Sequence, residues 1–185
     1  CQDLDEGKEI KITDKYLNPS TNQKEELSKE EVDCIISYRD FLDEAKPILL
    51  AQEITSFGDV YAGTADKIFI MGKNPKQIWV VDLKTSQSIW PEHELQISSY
   101  SHMEFDYKSW GIRELEWKKR KLAILQIGYK KNKKRYKFTE VGDKYNLFKN
   151  AYKIWKNENS EDKPKERDYP LVIFSKFRKN IKNDK

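Results

Sequence analysis

The sequence predicts an α/β (α+β) domain with a mixed central β-sheet flanked by helices. Three observations carry that prediction. Segments of helical and strand period follow one another as helix, three strands, helix, strands, helix. One strand, "IWVVDL", is apolar on both faces, the pattern of a strand inside a sheet covered on both sides. The helical segments carry apolar stripes that need a sheet to lie against.

The elements follow in order. Residues 1–28 are acidic and polar with weak periodicity, an irregular lead-in that is helical in part. Ser28 then takes an N-cap position with Glu31 three residues on, a capping-box pattern. Val32, Ile35, Ile36, Tyr38, Phe41 and Leu42 form one stripe, so this helix runs over about 29–45 and ends before Pro47. "ILLAQEITSF" is a strand closed by a turn at Gly58–Asp59. "YAGTADKIFI" and "QIWVVDLKTS" are the next two strands, and "MGKNPK" between them is turn chemistry. Pro91 begins a helix over "PEHELQISSYSHMEF", with acids early, as helix N-termini prefer. "KLAILQIGYKK" is a strand, paired with "RYKFTEV" after a lysine-rich turn. "DKYNLFKNAYKIWKNEN" is an amphipathic helix with Tyr145, Phe148, Tyr152 and Trp155 at helical spacing. "NSEDKPKERDYP" reads as a loop, "LVIFSKF" as a short apolar segment of either type, and residues 176–185 as a basic tail. No repeat or low-complexity linker interrupts the chain, so residues 1–185 read as a single domain with room for a substantial core.

Charge is unevenly divided. Residues 1–100 hold 11 Lys and Arg against 19 Asp and Glu, and residues 101–185 hold 24 against 12. The total of +4 therefore hides a basic second half, which fits a polyanionic partner or, equally, a solvated lysine-rich surface. The runs "WKKRK" and "KKNKKR" flank a strand and its turn and are the candidates for phosphate contact. Such contacts add affinity and salt dependence rather than sequence choice. Cys1 and Cys34 are too few for a disulfide framework or an iron–sulfur cluster and fit a reduced, cytoplasmic setting. No apolar run approaches the roughly 18 residues a bilayer span needs, so no membrane partner is expected. The N-terminus lacks a signal-peptide pattern.

Charges inside the two central strands carry the chemistry. Side chains alternate along a strand, so Thr64, Asp66, Ile68 and Ile70 share one face, as do Ile78, Val80, Asp82 and Lys84. An ionised carboxylate in such a core costs several kcal/mol unless something pairs with it. Two converging carboxylates repel each other, and Lys84 alone is a partial remedy. A divalent cation resolves the conflict. Hard carboxylate oxygens suit Mg²⁺ or Mn²⁺, which keep waters and take further ligands from phosphate. A lysine beside them can orient an attacking water and stabilise charge developing on phosphorus. Together these are the parts of metal-assisted phosphodiester hydrolysis. The same spacing also fits a structural Asp–Lys pair at the edge of a core.

In order, "GTAD", "VVDLKTS" and "ELQISSY" resemble the PD-(D/E)XK nuclease superfamily, in particular its RecB-like and phage or mitochondrial exonuclease branch. The positions are Gly63 and Asp66, then Asp82 with Lys84 and Thr85, then Gln96 with Tyr100, within residues 48–105. The resemblance implies a restriction-endonuclease-like fold and a Mg²⁺-dependent deoxyribonuclease, with Mn²⁺ able to substitute. It implies an exonuclease of recombination, repair or replication in a bacterial or phage-infected cell, acting on single- or double-stranded DNA beside recombination or replication proteins. It implies that Asp66, Asp82 and the main-chain carbonyl of Leu83 hold the metal and that Lys84 is catalytic. Gln96 and Tyr100, one helical turn apart, touch DNA or brace the site. Glu53 resembles a glutamate of this branch that reaches the metal directly or through water, although a strand-edge glutamate more often sits in solvent.

The loop Ser86 to Pro91 follows, and with Thr85 it is expected near substrate. Trp90 can stack on a base or sugar, against the commoner expectation that it packs. Relatives usually place a His or Glu on an earlier helix, within a G-T-x-x-H stretch that this sequence lacks. His93 and His102 fall after the lysine motif and read as surface or supporting residues. The family's N-terminal helix is thus missing, unless Glu30, Glu31 or Asp33 substitutes. A non-cleaving nucleic-acid-binding or assembly module and a structure-selective endonuclease are the alternatives.

Overall fold

Five stretches rich in β-branched, aromatic and leucine residues form one mixed sheet in the computed structural model, which describes residues 1–18, 20–72 and 77–160. They are β3 (Ile48–Phe57), β4 (Ala62–Ile70), β5 (Ile78–Lys84), β6 (Lys121–Ile127) and β7 (Tyr136–Val141), in that spatial order. The β5–β6 pairing is parallel and the other three are antiparallel. Two helices, α3 (Pro91–Ser101) and α4 (Glu114–Lys118), lie in the long connection that a parallel pair requires. This is the predicted α+β class with a mixed central sheet.

Both faces of the sheet are covered, as the apolar-throughout β5 requires. On one face α2 (Lys29–Ala45) lays Tyr38 and Phe41 over Phe69, Val81, Ala123 and Leu125. Its first turn carries the predicted capping box, with Ser28 and Glu31 exchanging hydrogen bonds. On the other face α3 buries Ile97 against Ile68, Ile78, Val80 and Leu122. The final helix α5 (Tyr145–Glu158) lies over α3 and has no fully buried residue. Among the described residues no helix is long and apolar enough to cross a membrane.

Three expectations need adjustment. The acidic lead-in holds a short helix, α1 (Gln2–Asp5), and a hairpin of β1 (Lys15–Asn18) and β2 (Gln23–Glu26). β2 is polar and wholly exposed, and in β1 the apolar Leu17 is exposed beside a half-buried Tyr16, so neither shows the apolar–polar alternation that reveals a strand. The helix from Pro91 ends at Ser101, short of Phe105, and the chain turns there instead. Residues 114–118 form a helix that the periodicity did not mark. The segment "LVIFSKF", the basic tail, residues 161–170 of the preceding loop and residues 73–76 of "MGKNPK" lie outside the described residues.

Two backbone irregularities shape the sheet. The register of β3 on β4 shifts between Leu49 and Ala51, and Glu53 adopts a left-handed φ of 46° between the paired residues Gln52 and Ile54. The second irregularity is a separation. The β4–β5 ladder pairs Lys67–Ile70 with Ile78–Val81 and ends there, although β4 starts at Ala62 and β5 continues to Lys84. Where the strands part, Asp66 and Asp82 stand next to the last pair.

Candidate active site

The parting of β4 and β5 frees backbone groups that a sheet would otherwise pair. Asp66 compensates with a side chain: its Oδ2 accepts a hydrogen bond from the main-chain N–H of Leu83 at 2.7 Å. An extended residue turns its N–H and C=O toward the same neighbour, so the Leu83 carbonyl faces the Asp66 side as well. Continuing the register past Lys67 and Val81 sets Asp82 opposite Asp66, on the α3 face of the sheet.

Asp82 is almost wholly buried, at 2 % exposure. Lys84, two residues on and on the same face, holds its Nζ 2.8 Å from Asp82 Oδ2. That contact is ionic without hydrogen-bond alignment, and Oδ2 has no hydrogen-bond partner. Burial pushes the Asp82 carboxyl up to about 6 from an ordinary 3.8, against the pull of Lys84, and the Asp66 charge adds to the rise.

A relay of polar groups on α3 holds the lysine. Gln96 Oε1 accepts from Lys84 Nζ at 2.8 Å, and Gln96 Nε2 donates to Tyr100 Oη at 2.8 Å. Lysine can only donate, so the amide orientation of Gln96 follows from its partners. Burial, then the charges of Asp82 and Asp66, raise the Tyr100 phenol above its ordinary value, which keeps its O–H available as a donor. Gly63 permits this arrangement. A Cβ there would lie 2.8 Å from Tyr100 Cε1 and 2.9 Å from Met103 Cε. The glycine and the tyrosine of the three sequence motifs are thus in direct contact.

These residues fit a divalent cation. The donor set is hard: two carboxylates and a main-chain carbonyl facing the same gap. The buried Asp82 Oδ2 without a hydrogen bond is the type of atom an ion would satisfy. Glu53 is exposed, and no cluster of three or more acidic, histidine or cysteine side chains able to hold a metal forms among the described residues. The proposed alternates are otherwise engaged or exposed. Glu31 serves the capping box, Asp33 binds Arg135 at 2.5 Å, and Glu30 is exposed beside Thr85.

The loop after β5 is anchored at its start and open at its end. Gln126 Nε2 donates to the Ser86 carbonyl at 2.7 Å, and Ser86 Oγ donates to the Ser88 carbonyl at 2.8 Å. Thr85 is exposed. Trp90 is 54 % exposed, so the expectation that it packs at the helix start is not met. His93 Nδ1 lies 3.3 Å from the Trp90 N–H, at the start of α3, while His102 stacks on Tyr145 beside Asp143. Both histidines support structure, as anticipated.

The basic runs divide in two. "WKKRK" lies at the start of β6, whose Lys121 pairs with Trp79, the end of the sheet away from Lys84. Its charges are largely spoken for. Arg120 gives its guanidinium to the Trp117 and Ser101 carbonyls, Lys118 pairs with Glu114 and Lys121 with Glu140. The run "KKNKKR" follows β6 at the site end, where Lys130 N–H donates to Gln87 Oε1 at 2.8 Å. Lys134 and Arg135 pair with Glu44 and Asp33, while Lys130, Lys131 and Lys133 have no acidic partner among the described residues.

One polar cluster escaped the sequence reading. On the opposite face of β4, Lys67 is fully buried, with Nζ 2.7 Å from Asp5 Oδ2 and 2.7 Å from Gln52 Oε1. Asp5 Oδ1 accepts from the Tyr38 hydroxyl at 2.7 Å. The signal was present, a lysine inside "DKIFI", but its partner sits 62 positions earlier on a four-residue helix. No family model, no curated protein and no solved structure matches the chain.

Proposed function

We propose that the protein is a divalent-cation-dependent deoxyribonuclease of the restriction-endonuclease-like type, acting as an exonuclease on DNA ends. The observation that carries this reading is the meeting of Asp66 and Asp82 where β4 and β5 part, with Lys84 held between Asp82 and Gln96. A structural ion pair alone does not account for that pair of acids, because the second carboxylate weakens it.

Asp66, Asp82 and the Leu83 carbonyl would hold Mg²⁺, with Mn²⁺ as a substitute. The ion supplies a Lewis acid toward a phosphate oxygen and an acidified water. The chain's own groups do the rest. Lys84 donates to Gln96 and pairs ionically with Asp82, which leaves the ammonium donor capacity for a water or a phosphate oxygen. Its charge stabilises the pentacoordinate phosphorus as negative charge builds. Gln96 prevents Lys84 from swinging away, and the Tyr100 hydroxyl, protonated and beside the acids, donates to a phosphate oxygen of the bound strand. The unpaired lysines at 130, 131 and 133 lie at the same end of the sheet and attract the DNA backbone. A role beside recombination, repair or replication proteins in the cytoplasm of a bacterial or phage-infected cell belongs to this reading.

Nucleotide release from end-labelled linear DNA and from circular DNA, with Mg²⁺, Mn²⁺ or EDTA, tests the proposal. Metal-dependent release that Lys84→Ala abolishes supports the nuclease, and sparing of circles supports an exonuclease. Cutting of circles makes it an endonuclease. Binding of DNA without cutting by the wild-type chain overturns catalysis and leaves a binding module.

A further inference from the structure

We propose that the groove between the β3–β4 turn and α5 is a docking site for single-stranded DNA, leading the strand to the acids on β4; its substrate class rests on the nuclease reading above. The groove encloses about 250 Å³ and is floored by Tyr61, Phe148 and Tyr152. That volume is of the size of a single nucleoside rather than of a duplex. Lys149, Lys153 and Lys156 line it from α5, are exposed, and have no acidic partner among the described residues. One acid, Asp59, lines the groove with them.

An aromatic floor edged by lysines is how a single strand is held without sequence preference: bases stack and cations track phosphates. The lysines repeat at four and three residues, so they form one stripe along α5 with about 4.5 to 6 Å of axial rise between neighbours. Such spacing suits successive phosphates of an extended strand. The rings divide the labour. Phe148 stacks on Tyr145 and meets Tyr61 edge-on, with Tyr61–Phe148 centroids 4.9 Å apart, so these three rings form one wall. Among the described residues Tyr152 stacks only on Trp155, which is 58 % exposed, so this pair offers ring surface to a base.

The groove also connects to the acids. The Tyr61 hydroxyl donates to the Ser99 carbonyl at 2.8 Å, and the next residue of α3 is Tyr100. From Tyr61 the chain leads into β4 and along it to Asp66, at most about 17 Å at 3.3 Å per residue. Both sites lie on the α3 face, so a strand held in the groove can reach Asp66 without crossing the sheet.

Binding of a labelled oligothymidylate of about 12 nucleotides, within the site sizes of single-strand grooves, tests the proposal by fluorescence anisotropy. EDTA is present throughout, so cleavage plays no part. Tyr152→Ala is expected to weaken binding on the order of tenfold and Tyr152→Phe to restore it. Lys153→Ala and Lys156→Ala are each expected to lower the slope of log affinity against log salt by about 0.7. Lys118→Ala, at the far end of the sheet, leaves binding unchanged. Wild-type affinity and salt slope in folded Tyr152→Ala and Lys153→Ala proteins overturn the proposal. So does tighter binding of a duplex that the same variants weaken. The two readings fail separately. Metal-dependent cutting with no effect of the groove variants removes the groove alone. Binding weakened by those variants in a protein that never cuts removes the nuclease alone.

Discussion

Asp66 Oδ2 takes the main-chain N–H of Leu83 at 2.7 Å, so a side chain of β4 replaces the carbonyl that a continued ladder would supply. The two strands can therefore part without leaving that N–H unsatisfied, and the gap between them becomes a place for charge. Asp66→Ala removes both roles, whereas Asp66→Asn keeps an acceptor and loses the charge. We expect Asp66→Asn to stay within about 1 kcal/mol of wild-type stability and to lose metal-dependent cleavage. Denaturant unfolding and nucleotide release, measured on the same preparation, check the pair of outcomes.

Gln96 has no charge and need not touch a metal, yet it fixes the position of Lys84. Its replacement by Ala frees the ammonium to turn toward solvent. Misplacement of this kind lowers turnover by roughly 10- to 100-fold. Saturating-substrate cleavage by Gln96→Ala should fall by that amount while the melting temperature barely moves; a wild-type rate would show that Lys84 needs no brace.

Asp82 links pH to stability and to metal binding with opposite signs. Its folded pKa is raised from 3.8 to about 6, so the folded chain favours the protonated acid. This contribution is fully present below about pH 3.8 and is lost as pH rises through about 6. At neutral pH, Asp82→Asn should therefore stabilise the metal-free protein, by about 2 kcal/mol. Metal binding needs the ionised acid, so affinity should fall as pH drops below about 6. Chemical denaturation in EDTA and Mn²⁺ titration across pH 5 to 8 separate the two trends.

Gly63 leaves no room for a side chain beneath Tyr100 and Met103. Gly63→Val forces those side chains and the helix outward and should cost about 1–3 kcal/mol. Loss of cleavage should exceed what that destabilisation explains, because Tyr100 and Gln96 move with the helix. Unchanged activity in the folded variant would show that the contact between strand and helix is incidental to the site.

The buried Lys67–Asp5 pair ties the first helix to the strand that carries Asp66. Removing one partner leaves an uncompensated charge, so Asp5→Ala should cost about 3–5 kcal/mol. The double change Asp5→Leu with Lys67→Met should cost less than either single change. Equilibrium unfolding of the three variants tests this order.

Much of the core and its helices was legible because the unbroken apolar run in "IWVV" and the stripe from Val32 to Leu42 are local signals. Period two alone set Asp82 and Lys84 on one face, and helical spacing set Gln96 above Tyr100. What was hidden depends on distant partners. Lys67 carried the same signal as Asp66, a charge in an apolar strand, but which face it took and that Asp5 answers it are tertiary facts. The run "WKKRK" looked like an anion site, yet Ser101 and Glu140, remote in sequence, absorb Arg120 and Lys121. The β1–β2 hairpin stayed invisible because neither of its strands shows apolar–polar alternation.

The irregular stretch of β3 has a consequence for self-assembly. Among the described residues this ten-residue strand is the outermost on its side of the sheet, with no neighbour beyond it and with Ile48 and Phe57 exposed at its two ends. A flat edge of that length would invite a second copy to add its own strand and grow into fibrils. The register shift and the left-handed turn at Glu53 break that template midway. Strand addition at this edge is thereby discouraged, and straightening β3 would restore the template for it.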